Sequence, residues 1–92
     1  PRGSARARKA RYTITPNYFI YNPGLGKTRK FPLANITEIE RKMSKNEEIR
    51  SIIVRYSEDK IYHNFFEIKG HNVNVKAILD AIQDYYPTVL IR

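Results

Sequence analysis

Histidine and glutamate side chains are the groups of this sequence that could do acid–base or metal chemistry. The two histidines, His63 and His71, stand eight positions apart, and neither has a second donor at a ligand spacing. A metal site needs several donors that converge on one point, and the chain has no cysteine to add to them. We therefore expect both histidines to be structural, and we predict no metal site and no cofactor.

Four glutamates are the candidates for a catalytic carboxylate pair: Glu38, Glu40, Glu47 and Glu48. Such a pair must face one cleft and have pKa values that its surroundings push apart. In strand register, Glu38 and Glu40 would share a face beside Lys42, which is typical of a solvated rim. No nucleophile elbow or cysteine–histidine arrangement is present either. The sequence therefore predicts a protein that is not an enzyme.

Lys27, Arg29 and Lys30 form a short basic segment behind a loop that contains Gly24 and Gly26. The loop lacks the spacing of a P-loop or a dinucleotide fingerprint and opens no helix, so we interpret it as a turn. In a strand, Lys27 and Arg29 would share one face that can hold a phosphate or a lipid headgroup. The alternative, which we favour, is an edge strand that charge protects against aggregation.

The net charge of +8 is concentrated at the start of the chain, because five of the 17 basic residues lie in the first eleven positions. Pro1-Arg2-Gly3-Ser4 reads as the remnant of an expression tag, and residues 5–10 then form a basic N-terminal arm. Such an arm is typical of a solvated tail or of a segment that lies on anionic lipid headgroups. The candidate ligand and membrane-surface residues are Arg6, Arg8, Lys9, Arg11, Lys27, Arg29 and Lys30.

Seven tyrosines and four phenylalanines could stack on nucleic-acid bases if they lay on an open sheet. Most of them occupy positions that we expect to face inward, so packing in the core is the favoured interpretation. Tyr18, Tyr21 and Tyr62 are the ones expected outside, where they would form a protein-contact patch.

Length and periodicity predict one small domain of strands followed by a helix. Ninety-two residues, 41% of them apolar, make one globular domain, and no apolar run approaches the roughly 20 residues that span a bilayer. Alternation predicts strands over residues 11–15, 18–22, 27–33, 49–57 and 60–69. Residues 74–86 have an apolar helical face, with Asn74 as N-cap and Pro87 as the stop. Residues 34–44 fit either a helix or a strand, and residues 87–92 form a tail of open position.

Three segments of this sequence resemble the bacterial pleckstrin-homology-like (PH-like) domains: YTIT from Tyr12, YFIY from Tyr18 and KFPLANITEIE from Lys30. In that family the proline of the third segment ends a strand, and the first isoleucine is buried at the corner before the next one. Here those residues are Pro32 and Ile36. The resemblance covers nearly all of residues 11–86 and favours a strand for residues 34–44.

The resemblance implies an α+β fold over residues 11–86. In it the C-terminal amphipathic helix caps either an antiparallel bent sheet or partly open barrel of six to seven strands, or two near-orthogonal sheets. It also implies a non-catalytic binding or scaffolding module from a membrane-associated protein. Such a module would sit at the cytoplasmic face of a bacterial membrane, tethered by a segment upstream of residue 5. Its expected partner is a protein or a second copy of itself, with peripheral contact to anionic lipid.

PH domains that bind phosphoinositides carry basic residues around the first hairpin, and here no lysine or arginine lies between Tyr12 and Pro23. We therefore do not expect specific phosphoinositide binding. A small basic nucleic-acid-binding domain is the alternative function, which ranks second because residues 12–92 have only a small excess of positive charge.

Overall fold

The computed structural model describes residues 11–22, 26–58, 63–70 and 73–92. The elements are β1 (Arg11–Ile14), β2 (Tyr18–Asn22), β3 (Arg29–Pro32), a 3-10 turn (Leu33–Asn35), β4 (Ile36–Met43), β5 (Ile49–Ser57), β6 (His63–Lys69) and α1 (Val75–Tyr85). The first three strands form an N-terminal antiparallel sheet in the order β1-β2-β3, and the others form a C-terminal antiparallel sheet in the order β4-β5-β6.

The predicted α+β class with antiparallel strands and a C-terminal helix is confirmed. Within the described ranges the six strands divide into two sheets of three, as the two-sheet alternative expects. The single bent sheet of six to seven strands is wrong, and the strands do not close into a barrel. The division falls at the corner after Pro32, where one 3-10 turn redirects the chain. Leu33 and Ile36 are both buried at this corner, so each anchors one side of the bend.

Residues 34–44 are mainly strand, and the helical alternative is wrong. A helix over these residues would place Ile36, Ile39 and Met43 together on one apolar face. In the strand Ile36 and Ile39 are buried, but Met43 is 47% exposed, so these three residues do not pack together in the core. Pairing with β5 satisfies the backbone instead, with Ile39 opposite Val54. The partner strand overrides local helix propensity, as tertiary context often does.

Helix α1 forms as its sequence predicts and contacts both sheets, through β5 and β1. The Asn74 side chain accepts a hydrogen bond from the Ala77 N–H at 3.0 Å, which caps the first turn. Leu79 and Ile82 are buried on the apolar face. The helix ends before Pro87, where proline cannot continue the hydrogen-bond ladder.

The tail that follows the helix is part of the fold. Val89 is 9% exposed and belongs to the core. Ile91 then makes a parallel bridge with Ile39. The Ile39 N–H donates to the Leu90 carbonyl, and the Arg92 N–H donates to the Ile39 carbonyl, both at 2.8 Å. Residues 90–92 therefore cover the outer edge of β4.

Aromatic side chains join the two sheets, which share no strand pairing among the described residues. Phe31 of the N-terminal sheet stacks on Tyr56 of the C-terminal sheet, with ring centroids 4.1 Å apart. Phe66 on β6 contacts Phe19 at 5.4 Å and Tyr21 at 5.7 Å. These rings, which we call the aromatic row, are Tyr12, Phe19, Tyr21, Phe31, Tyr56 and Phe66.

Two adjacent phenylalanines test the aromatic row, because Phe66 belongs to it and Phe65 is 64% exposed on the opposite face. We expect Phe66→Ala to lower the free energy of unfolding by about 3 kcal/mol, since it removes buried area and leaves a cavity. Phe65→Ala should change it by less than about 0.5 kcal/mol. Urea unfolding of both variants in dilute solution measures the difference, and equal losses would contradict this assignment of faces.

Tyr12, at the edge of the aromatic row, makes the stability of the fold depend on pH in the alkaline range. Burial, the charge of the neighbouring Tyr21 and a hydrogen bond that the Tyr12 hydroxyl donates to Tyr21 raise the pKa of Tyr12 from 10.0 to about 12. The unfolded chain ionises this phenol near pH 10. Between pH 10 and 12 the unfolded state therefore binds fewer protons, and stability falls as pH rises.

We expect Tyr12→Phe to lose less stability than the wild type over this interval, because the variant has no phenol to ionise. Urea unfolding at successive pH values from 9 to 12 measures the two slopes. Tyr85→Phe is the control, since Tyr85 is exposed on α1 and should follow the wild-type curve. Parallel curves for Tyr12→Phe and the wild type would contradict the assignment.

Candidate functional site

The basic residues on and before β3 do not converge on one face. Lys27 precedes the strand, which begins at Arg29. Arg29 lies opposite Tyr21 and Lys30 lies opposite Ile20, so these two neighbours point to opposite faces. Arg29 borders the end of the aromatic row, and Lys30 lies on the outer face of the N-terminal sheet. The shared face predicted for Lys27 and Arg29 is therefore not formed within β3.

The outer face of the N-terminal sheet combines positive charge with one exposed aromatic ring. The Lys30 Nζ lies 4.2 Å from the centre of the Tyr18 ring, a cation–π contact. Tyr18 is 39% exposed, on the outside of the sheet where we expected it. The strand register places Arg11, Thr13, Tyr18, Ile20 and Lys30 on this face, which we call the basic face.

Charge divides between the two sheets. No aspartate or glutamate precedes Glu38, whereas eight basic residues do. From Glu38 onward nine basic residues are balanced by nine acidic ones. The whole net charge of +8 therefore belongs to the N-terminal sheet and the segment before it. Counting charge separately for residues 1–11 and 12–92 hides this asymmetry, because residues 12–92 include both the basic residues of β3 and every acidic residue. The absence of aspartate and glutamate before Glu38 is the sequence signal that reveals it.

The ion pairs of the described residues follow the same division. Every one of them lies in the C-terminal sheet, the helix or the tail. Within the part of the chain that the structure describes, Arg11, Lys27, Arg29 and Lys30 have no carboxylate partner. Their charge is thus uncompensated at short range and acts on whatever approaches this sheet.

The remaining predicted contact residues have different positions. Tyr21 is half-buried, because the hairpin register places it opposite Tyr12 on the aromatic face. Its ring stacks on Tyr12 at 5.0 Å, so the expected outside position of Tyr21 is not observed. Arg6, Arg8, Lys9 and Tyr62 lie outside the described residues.

The two glutamates of β4 on the outer face of the C-terminal sheet are paired with arginines. The Arg55 Nη1 lies 3.1 Å from the Glu40 carboxylate and 3.6 Å from that of Glu38. The Arg92 Nε lies 3.0 Å from the other oxygen of Glu38. Both carboxylates are therefore paired with guanidinium groups, an arrangement that orders the sheet surface.

A polar groove of about 600 Å³ lies beside the β4–β5 turn. In it the buried Ser51 hydroxyl donates to the Glu67 Oε2 at 2.7 Å, and the Lys42 Nζ lies 3.6 Å from the same atom. The Ser51 hydrogen bond, followed by the charges of Lys42 and Lys69, holds the pKa of Glu67 below its usual value. The outward position of Ser51 follows from strand alternation, but its burial depends on the neighbouring side chains.

The described ranges contain no group of three or more histidine, aspartate or glutamate side chains that could hold a metal ion. His63 is exposed, and His71 lies outside those ranges. No helix in the described part of the chain is long and apolar enough to cross a bilayer. The sequence matches no family model, and no curated protein or solved structure matches it significantly.

The Ser51–Glu67 hydrogen bond predicts a measurable change in acid titration. We expect Ser51→Ala to raise the Glu67 pKa toward its usual value, because the variant has no hydroxyl to stabilise the carboxylate. Carboxyl NMR titration measures it, with Thr13→Ala on the other sheet as control. Because the Glu67 pKa is lowered in the fold, its contribution to stability is present above the unfolded-state pKa and lost as pH falls through the lowered pKa. An unchanged Glu67 pKa in Ser51→Ala would contradict the hydrogen bond.

Proposed function

We propose that this chain is a non-catalytic PH-like binding module that docks on an anionic membrane surface through its N-terminal sheet. The observation that carries this proposal is the charge division, because all of the net positive charge lies before Glu38 and no carboxylate accompanies it. In the proposal, the module works at the cytoplasmic face of a bacterial membrane, and a segment upstream of residue 5 tethers it there.

The order and packing of the elements support the PH-like part of the proposal. Among the described residues, six strands precede one C-terminal helix, and that helix contacts both sheets. Pro32 is the last residue of β3, and Ile36 is buried at the first position of β4, which are the positions that the resemblance implies for them. The strands supply a rigid scaffold, and the binding surface is a property of its exposed residues.

The strength of the contact follows from the number of cations that reach the lipid. Each lysine or arginine near an anionic bilayer contributes about 1 kcal/mol. Arg11 and Lys30 of the basic face would thus supply about 2 kcal/mol, which alone is weak binding. The basic arm adds Arg6, Arg8 and Lys9, so the proposal requires the arm and the basic face to act together. Tyr18 would lie at the headgroup level, where amphipathic rings are favoured.

Lipid headgroups fit this face better than nucleic acid does. Proteins that bind single strands on a sheet stack bases on exposed aromatic rings. Here most aromatic rings of the N-terminal sheet face the core, and on its outer face Tyr18 already carries the Lys30 ammonium group on its ring. The described residues thus offer charge without a free stacking platform.

Vesicle binding tests the proposal directly. We expect the chain to co-sediment with phosphatidylserine-containing vesicles but not with pure phosphatidylcholine vesicles, and binding to fall with salt because the attraction is screened. The basic-face variant, Arg11→Glu with Lys30→Glu, should weaken binding more than about tenfold. Lys45→Glu with Lys69→Glu makes the same change in net charge elsewhere and should leave binding much closer to that of the wild type.

A second comparison tests the arm. Replacing Arg6, Arg8 and Lys9 by glutamine should also weaken vesicle binding more than about tenfold, since it removes three cations. Equal losses for the basic-face variant and its control would show that only net charge matters and would overturn the proposed orientation. Tight binding of single- or double-stranded DNA that the basic-face variant abolishes, without any vesicle binding, would replace lipid by nucleic-acid phosphate.

A further inference from the structure

The outer edges of the two sheets differ in how well they are protected. Residues 90–92 cover β4. β3 has four residues, of which Arg29, Lys30 and Pro32 each discourage strand addition, and β1 is equally short. β6 has seven residues and no proline, and no described segment pairs with its outer side. It is the longest of the strands that have an open edge within the described residues.

The backbone of β6 presents hydrogen-bonding groups on that side. The Phe65 N–H donates to the Asn64 Oδ1 at 2.9 Å. In an antiparallel ladder, the N–H groups of alternate residues point to opposite neighbours. The groups that face away from β5 therefore belong to His63, Phe65, Glu67 and Lys69, and the Asn64 side chain occupies the place of an acceptor from a further strand.

The side chains of these same residues lie on the outer face of the C-terminal sheet. Phe65 is 64% exposed, which is more than any other large apolar side chain of the described residues. On Glu67, Ser51 and Lys42 both bind Oε2, so Oε1 remains available to a further donor among the described contacts. His63 is exposed at the start of the strand.

We propose that β6 pairs with β6 of a second copy of this chain, antiparallel about a two-fold axis at Phe65. Phe65 then faces Phe65 of the second copy, and His63 of each copy faces Glu67 of the other. The C-terminal sheets of two copies join into one six-stranded sheet. This interface lies on a different sheet from the basic face and is independent of membrane binding.

Hydrogen-bond complementarity selects this occupant and this register, because an imidazole N–H of His63 can donate to the Glu67 carboxylate. An axis at Phe66 would place His63 beside Lys69, two donors, and Phe65 beside Glu67, so neither pair could form a hydrogen bond between side chains. An axis at Glu67 would place two carboxylates against each other, and like charges directly opposite are unfavourable. Only the axis at Phe65 combines an aromatic pair with two His63–Glu67 pairs, while the backbone groups of residues 63, 65 and 67 face one another.

The first experiment measures the oligomeric state of the full chain by sedimentation equilibrium. We expect a concentration-dependent dimer for the wild type and a monomer for Phe65→Lys, because two lysines would meet at the axis. Tyr85→Lys is the matched control, since Tyr85 is a 47% exposed aromatic residue on α1, and it should dimerise as the wild type does. A monomeric wild type, or a Phe65→Lys variant that still dimerises normally, would overturn the proposal.

The second experiment tests the register by charge exchange. His63→Glu places a carboxylate against Glu67, and Glu67→Lys removes the acceptor that faces His63, so each variant alone should dimerise about tenfold more weakly. An equimolar mixture of the two variants should recover wild-type association, because one contact of the mixed dimer then pairs a carboxylate with an ammonium group and the other keeps His63 against Glu67. Recovery on mixing also shows that both variants are folded.

Hydrogen exchange supplies an independent readout of the backbone contact. The amide protons of Phe65 and Glu67 should exchange more slowly as the protein concentration rises, since a second strand would then accept their hydrogen bonds. The amide proton of Arg41, already bonded to the Arg92 carbonyl at 2.9 Å, should not depend on concentration. Failure of the mixture to associate, or unchanged exchange at Phe65 and Glu67 in the dimer, would overturn the register.

Discussion

Stacking of aromatic side chains between two separate sheets is the interaction on which the rest of this structure depends. Backbone hydrogen bonds hold each sheet together, but within the described residues none of the strand ladders crosses from one sheet to the other. Phe31 against Tyr56, and Phe66 against Phe19 and Tyr21, supply the contact instead. Burial of these rings is non-directional and proportional to area, so it fixes the sheets against each other while leaving both outer faces available.

This separation lets two surfaces of opposite character coexist in one small domain. The N-terminal sheet carries uncompensated positive charge, whereas the C-terminal sheet carries paired charges around Arg55 and Glu67. A partner that is recognised by long-range attraction would meet the first surface, and a partner that is recognised by strand pairing would meet the second. Because the two surfaces lie on different sheets, substitutions in one can change its contact without disturbing the other.

Local sequence patterns were enough to predict the elements whose secondary structure does not depend on a distant partner strand. The helix follows from its apolar face, from Asn74 and from Pro87, and the β1–β2 hairpin follows from alternation around Pro16. Residues 34–44 could not be assigned from their own periodicity, because the partner strand β5 decided between strand and helix. The tail could not be placed either, since its position depends on the free edge of β4.

The site was less predictable than the fold. Strand alternation places Tyr21 on the face of the buried Phe19 and opposite to that of Tyr18, so these two tyrosines of one strand could not both lie outside. The split between Arg29 and Lys30 follows from where β3 begins, a boundary that sequence patterns locate poorly. The charge division is visible in the sequence. The sequence alone does not show that Glu38, the first acidic residue, lies in β4 and therefore in the C-terminal sheet, so it could not assign the two charge classes to two different sheets.

The contact between α1 and β1 also constrains how the polypeptide acquires its structure during synthesis. The first strand and the last helix touch each other, so the core cannot be sealed until nearly the whole domain has left the ribosome. At a translation rate of about 5–20 residues per second, the aromatic rings of the first strands would wait several seconds in the open. Packing of the first strand against the last helix is therefore completed only after the helix has been synthesised.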